Sequence, residues 1–340
     1  MRNKANAFTE NWANAFEINC FETKPSNFEK NALDLFHYQA QHCSVYHEYL
    51  KALGTQVEAI DSIEKIPFLP ISFFKSHTVK SGAIDPEKVF ESSGTTGNET
   101  SKHYVAKLKV YEKSFLKTFE SFYGKAEENC ILALLPSYLE RNNSSLVYMA
   151  EKLIRKSNCE ESGFFLDNYK ELKIVLDKLA ARKQRTLLLG VSFALLDFCE
   201  HYTLPGFPEL QIMETGGMKG RRREMIREEL HKTLMLGFHK KSIHSEYGMT
   251  ELLSQAYSKG NGLFDTPPWM KVLIRKQDNP FSYALQGETG AINVIDLANI
   301  YSCGFIQTDD LGKLHAGGKF EVLGRFDSAE VRGCNLLVGG

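Results

Sequence analysis

Two short segments of the chain are apolar almost without interruption. Cys130-Ile131-Leu132-Ala133-Leu134-Leu135 stops at Pro136, and Thr186-Leu187-Leu188-Leu189 stops at Gly190. A strand with one face in water alternates apolar and polar residues, so an unbroken run of this length suits a strand covered on both faces. Amphipathic segments lie around these runs. In residues 110–123, Val110, Phe115, Phe119 and Phe122 share about one helical face, and residues 146–156, 169–183, 193–201 and 219–233 also read as helices. With Lys88–Glu91 and Leu210–Glu214 as further strands, the alternation implies a mostly parallel sheet flanked by helices, an α/β fold.

The pattern changes twice along the chain. Residues 1–60 read as a helical N-terminal segment, with Leu33, Phe36, Ala40 and Cys43 at helical spacing, and Pro67 and Pro70 then favour extended backbone. Residues 61–242 form the expected α/β core. From about residue 243 to 323, strand-like segments separated by Gly and Asp/Asn turns predict a smaller β-rich subdomain, and residues 324–340 form a tail.

Lys and Arg number 41 against 42 Asp and Glu, so no whole-chain charge draws the protein to nucleic acid or anionic lipid. No apolar run approaches the roughly 20 residues that span a bilayer, and Glu10, Asn14 and Glu17 interrupt any signal-peptide core. The seven cysteines are widely spaced with no Cys-x-x-Cys pair, which argues against a disulfide framework and a structural zinc site. A cytoplasmic protein with reduced thiols is expected.

The segment Ser92-Ser93-Gly94-Thr95-Thr96-Gly97, followed by Lys102, carries the strongest chemical signal. Its glycines let successive backbone N–H groups turn toward an anion, its hydroxyls add donors, and Lys102 adds a charge. These are parts for holding a polyphosphate, although the Gly-Lys-[Ser/Thr] of a Walker loop is missing. The same residue types also make an ordinary solvated hairpin turn.

Further motifs follow in order: Thr215-Gly216-Gly217-Met218, Ser245-Glu246-Tyr247-Gly248-Met249-Thr250-Glu251, Thr308-Asp309-Asp310-Leu311-Gly312, Gly324-Arg325-Phe326-Asp327 and Arg332-Gly333. Together they resemble the adenylate-forming superfamily of acyl-CoA synthetases and luciferases, with Asp309 in place of a glycine. The resemblance implies an ATP site. The loop from Ser92 to Gly97 would hold phosphates, with Lys102 as a candidate charge. Gly216, Gly217 and Met218 would lie along adenine, and Tyr247, beside Ser245, Glu246 and Gly248, would stack on it. Thr250 would bond the α-phosphate, Glu251 would hold Mg²⁺, and Asp310 would take the ribose hydroxyls with help from Arg325. Taken singly, Tyr247 also reads as a half-buried strand aromatic and Asp309-Asp310 as a turn.

Two features select a branch. The chain runs only seven residues past Gly333, so the resemblance implies that the mobile C-terminal domain and its adenylation lysine are absent. Cys334 follows the last motif directly. The chain resembles the acyl-protein synthetase (LuxE-like) family, also through Leu135–Arg141 and Pro267–Val272. That resemblance implies a fatty acid activated to acyl-AMP, transfer to Cys334, and delivery to a reductase-like or acyltransferase partner. Thiolates are strong nucleophiles, and Arg332 would favour one at Cys334; a buried, inert Cys334 is the competing reading.

Other functional classes remain open. An acyl-CoA ligase or acyltransferase would use a soluble thiol instead, and a degenerate member would bind nucleotide or acyl groups without turnover. Gly190-Val191-Ser192-Phe193-Ala194, between a strand and a helix, approaches a serine hydrolase elbow but lacks its second glycine. The run Arg221-Arg222-Arg223 is followed by Glu224, Glu228 and Glu229, as on a solvated helix face.

Overall fold

The computed structural model describes residues 2–92, 100–136, 143–216 and 225–325, with side chains from residue 11. The chain opens with helices α1 (Arg2–Asn19), α2 (Phe28–His42) and α3 (Ser44–Ala52), then β1 (Leu69–Pro70) and the short α4 (Phe73–Ser76). The hairpin β2 (Lys88–Glu91) and β3 (Lys102–Val105) follows, then α5 (Leu108–Tyr123), β4 (Cys130–Leu134), α6 (Ser145–Lys156) and β5 (Gly163–Phe165). Next come α7 (Tyr169–Ala181), β6 (Thr186–Gly190), α8 (Ser192–His201), β7 (Leu210–Glu214) and α9 (Arg227–Gly237). The remaining elements are all strands apart from a short 3₁₀ turn: β8 (His244–Tyr247), β9 (Ala256–Ser258), β10 (Leu263–Asp265), β11 (Met270–Arg275), β12 (Thr289–Asp296), β13 (Phe305–Leu314) and β14 (Phe320–Arg325).

Among the described residues one sheet of 12 strands runs β11-β12-β13-β14-β10-β9-β8-β7-β6-β4-β5, with β1 added to β13. Strands β5, β4, β6, β7 and β8 are mutually parallel. From β8 onward each neighbour on this path is antiparallel. Both apolar runs are interior strands of the parallel end of this order, and every residue of β4 and β6 is buried. Helices must cover both faces of such a strand, which explains its continuous apolar sequence.

The sheet passes unbroken through residue 243, so the α/β and β-rich segments share one hydrogen-bonded layer. The helix expected over 219–233 is seen from Arg227 to Gly237. The strand expected at 304–308 extends to Leu314 and takes in Asp309 and Asp310, which therefore do not form a terminal turn. Strands β5, β9 and β10 are three residues each, too short to leave a periodic signature. Residues 93–99, 137–142, 217–224 and 326–340 lie outside the description. With them go Ser93, Gly94, Thr95, Thr96, Gly97, Gly217, Met218, the three arginines Arg221, Arg222 and Arg223, and Cys334.

The site at the ends of the parallel strands

In an open α/β sheet, ligand-binding groups gather beyond the carboxyl ends of the strands. Strands β7 and β8 deliver Thr215-Gly216 and Gly248–Glu251 to one such edge. The β2–β3 hairpin is a separate two-stranded sheet whose register sets Glu91 opposite Lys102, so it carries both ends of the hydroxyl-rich loop. Those ends are laced together: Ser92 N donates to Ser101 O, and Ser101 N donates to Ser92 Oγ, both at 3.0 Å.

The hairpin is tied to the Thr250-Glu251 motif. His103 Nδ1 donates to Thr250 O at 2.8 Å, and its Nε2 lies 3.1 Å from Asn299 Oδ1. Asn299 Nδ2 donates to Glu251 O and Cys303 O, both at 2.9 Å. Burial holds the imidazole well below its usual range, at about 4. The Ser101 side chain lies close enough to the Glu251 carboxylate to favour its charged form, and Glu251 is 4% exposed. Burial raises the Glu251 pKa, against Ser101 and the charges of Lys75 and Arg325. A buried, under-neutralised carboxylate beside a hydroxyl is a hard-oxygen donor set, which suits Mg²⁺. Lys102 is exposed on the strand that holds His103, with no ion pair recorded for it among the described residues.

A second cluster links side chains of β8, β10, β13 and β14. Tyr247 is buried, its ring edge-on to Phe264 and Phe320, and its hydroxyl donates to Asp310 Oδ2 at 2.9 Å. Arg325 is the ladder partner of Asp310 and is exposed. Burial raises the Asp310 pKa, while Tyr247 and Arg325 draw it down.

A third cluster backs the first turn after β7. Gly216 adopts φ +63°, a conformation that costs other residues about 1–2 kcal/mol, and its N–H donates to Glu214 Oε2 at 2.7 Å. Glu214 also meets His231 Nε2 at 3.3 Å and Arg227 Nε at 3.4 Å. Burial opposes ionisation, but His231, Arg227, Ser245 and the Gly216 N–H bring this carboxyl down to about 2. Glu246 accepts from Thr215 Oγ1 at 2.5 Å; burial, and then the charge of Glu214, raise it to about 7 despite that bond. Its side chain folds across Gly248, where a Cβ would sit 2.3 Å from Glu246 Oε1. Ser245 is fully buried and faces His231 Nε2 at 3.2 Å.

Ser192 does not have the surroundings of a hydrolase nucleophile. Its hydroxyl is buried, and the partner recorded for it is the Glu214 carboxylate, 3.5 Å away, with no histidine in between to take its proton.

A family profile described as "Acyl-protein synthetase, LuxE" matches residues 13–339. The chain belongs to this family.

Among solved structures, ATP-bound MatB from Rhodopseudomonas palustris aligns with a TM-score of 0.52 at 18% identity, over 70% of this chain and 47% of that one. An open conformation of a 2-hydroxyisobutyryl-CoA ligase, in complex with 2-HIB-AMP and CoA, aligns with a TM-score of 0.64 at 11% identity, over 90% and 72%. This member of the LuxE family thus has the mixed α/β fold of adenylate-forming enzymes, and it spans about half the length of MatB. No curated protein matches it. No helix among its described residues is long and apolar enough to cross a membrane.

Ser92, Ser245, Glu246, Tyr247, Gly248, Thr250, Glu251 and Lys102 come to one region of this LuxE-family chain, with Gly216 at the end of β7 and Asp310 and Arg325 across from Tyr247. Sequence reading missed Ser101, His103, Glu214, Arg227, His231 and Asn299. Strand alternation was the available signal for His103: Lys102 is exposed, His103 buried and Val105 buried. The others fall outside the quoted motifs, and the contacts that join them to the site are made by folding.

Proposed function

We propose that the protein activates a carboxylic acid, of the fatty-acid class, with ATP and then carries the acyl group on Cys334. The observation that carries the first half is the joining of two distant segments: His103, just past the exit of the hydroxyl-rich loop, donates to Thr250 O, and Ser101 lies beside the Glu251 carboxylate. That link between the exit of the loop and a carboxylate able to hold a cation supports one shared site for phosphates and metal. Family membership supports the same reading.

In the first step the substrate carboxylate oxygen attacks the α-phosphorus of ATP. The bond to the β-phosphoryl oxygen breaks, and pyrophosphate leaves with the electron pair. Thr250 donates to an α-phosphate oxygen, where charge builds in the transition state. Asp310 accepts from the ribose hydroxyls, and Tyr247 and Arg325 hold that carboxylate in place. Mg²⁺, when bound, neutralises phosphate charge, and Glu251 with nearby hydroxyls would hold it. In the second step the Cys334 thiolate attacks the acyl carbon, a C–S bond forms, and AMP leaves with the electrons of the C–O bond. The thiol proton passes to solvent. A thioester keeps the acyl group activated for transfer to a partner protein of the acyl-CoA reductase or acyltransferase kind.

The test is intact-mass measurement after incubation with ATP, Mg²⁺ and a panel of fatty acids. Wild-type protein should gain one hydroxylamine-labile acyl mass. Cys334→Ser should lose that mass while keeping near-normal acid-dependent ATP–pyrophosphate exchange, because a serine hydroxyl is scarcely ionised at neutral pH. Unchanged labelling of Cys334→Ser would remove Cys334 as acceptor. Acyl thioester released into solution with added CoA would instead identify a soluble thiol as the acceptor.

A further inference from the structure

Asp310 owes its position to a defect in the sheet. Along β12 and β13, Asn293 pairs with Gln307, and the next register has Ala291 opposite Leu311. Ile292 alone therefore faces Thr308, Asp309 and Asp310. Extra residues in a strand are left unpaired and push that strand out of plane, and bulges of this kind re-aim side chains next to active sites. The carbonyls that lose their ladder partners must find other donors, since burying them unpaired is costly.

Arg275, at the end of β11, supplies those donors. Its Nη1 donates to Ile292 O and to Asn293 Oδ1, and its Nη2 donates to Thr308 O, all at 2.8 Å. Thr308 Oγ1 adds a 2.8 Å bond to Ile292 O and accepts from Asp310 N at 3.2 Å. The guanidinium is thus built into the gap that the bulge leaves, with the Arg275 side chain only 5% exposed. No carboxylate within 4.0 Å of it is recorded among the described residues. Burial lowers its pKa to about 10, opposed first by the charge of Asp309 and also by that of Asp310.

We infer that Arg275 is a positioning residue for nucleotide recognition: it holds open the β13 bulge that aims the Asp310 carboxylate, and so sets the grip on the ribose hydroxyls. This rests on the ribose-binding role proposed above for Asp310. A planar fork with several fixed donors can bridge two strands in this way; a lysine ammonium, whose three donors radiate from one atom, lacks that planar spread.

The experiment compares ATP with 2′,3′-dideoxy-ATP in acid-dependent pyrophosphate exchange, using the full chain. Wild type should prefer ATP. Arg275→Lys should raise the KM for ATP about tenfold, with kcat changed by less than about threefold and the KM for the dideoxy nucleotide nearly constant. The preference should collapse to the level seen in Asp310→Asn, and the double variant should be no worse than Asp310→Asn alone. Should Arg275→Lys fail to fold, Asn293→Ser removes one acceptor of the guanidinium, and it should shift the preference the same way by about two- to fivefold. An equal rise in KM for both nucleotides, or a loss confined to kcat, would show that Arg275 only supports the sheet and would overturn the inference. If Asp310→Asn collapses the preference while Arg275→Lys and Asn293→Ser leave it intact, the inference alone fails. If Asp310→Asn leaves the preference intact, the ribose reading fails and takes this inference with it.

Discussion

Replacing Asp296 by asparagine should expose what holds the turn after Glu251. The side chain is fully buried and accepts four hydrogen bonds. Leu253 N and Ser254 N donate to Oδ2 at 2.8 and 3.0 Å, and Ser254 Oγ and Ala298 N donate to Oδ1 at 2.6 and 3.1 Å. Asparagine keeps the shape but turns one oxygen into an amine that faces two donors. If its oxygen stays with the two backbone N–H groups of the turn, Ser254 must reverse its hydroxyl and the Ala298 N–H loses its acceptor. A buried orphan costs about 1–3 kcal/mol, and each remaining bond weakens by about 1 kcal/mol when the acceptor loses its charge. Relief of the buried carboxylate offsets part of that loss, leaving a net destabilisation of roughly 2–4 kcal/mol. An unfolding entropy of about 2.1 cal/mol/K per residue gives ~0.7 kcal/mol/K for a chain of this length, so Tm should fall by roughly 3–6 °C. The assay is a thermal melt of Asp296→Asn beside Asp265→Asn, which alters only a surface pair with Lys319 and should stay within about 1 °C of wild type. If Asp296→Asn melts with the surface variant, the carboxylate is not the anchor of this turn, and the reasoning fails.

Two further outcomes follow from the site. Glu251→Gln and Thr250→Val should each lower acid-dependent ATP–pyrophosphate exchange by at least ~100-fold, about 3 kcal/mol of transition-state stabilisation; unchanged exchange in Glu251→Gln would remove the metal assignment. Glu246 holds its proton in the folded state up to about 7 but loses it near 4.5 when unfolded. Its contribution to stability is therefore fully present below 4.5 and lost as pH rises through 7. Wild-type Tm should fall between pH 5 and pH 8 and Glu246→Gln should flatten that fall, whereas an unchanged slope would show that another group titrates there.

What the sequence determined by itself was everything governed by neighbours along the chain. The apolar runs at residues 130–135 and 186–189 predicted strands covered on both faces because periodicity is a local property, and β4 and β6 are such strands. The order of motifs predicted the family, because each motif is a contiguous string whose chemistry survives without knowledge of contacts. Tyr247, Thr250, Glu251 and Asp310 were named this way, and the first three sit on or just beyond β8. The register of β13 was not legible. Nothing in Thr308-Asp309-Asp310 announces that three residues will face one on β12, because a bulge is a property of two strands. Nor could spacing reveal that His103 would meet Thr250, that Arg275 would close a gap around Thr308, or that Asp296 would anchor Leu253 and Ser254. Each of those polar groups looks ordinary in the sequence, and each is functional or structural only because folding buries it beside a partner 33 to 147 residues away. Burial removes water as the alternative partner, so which donor meets which acceptor is decided by the packed structure alone.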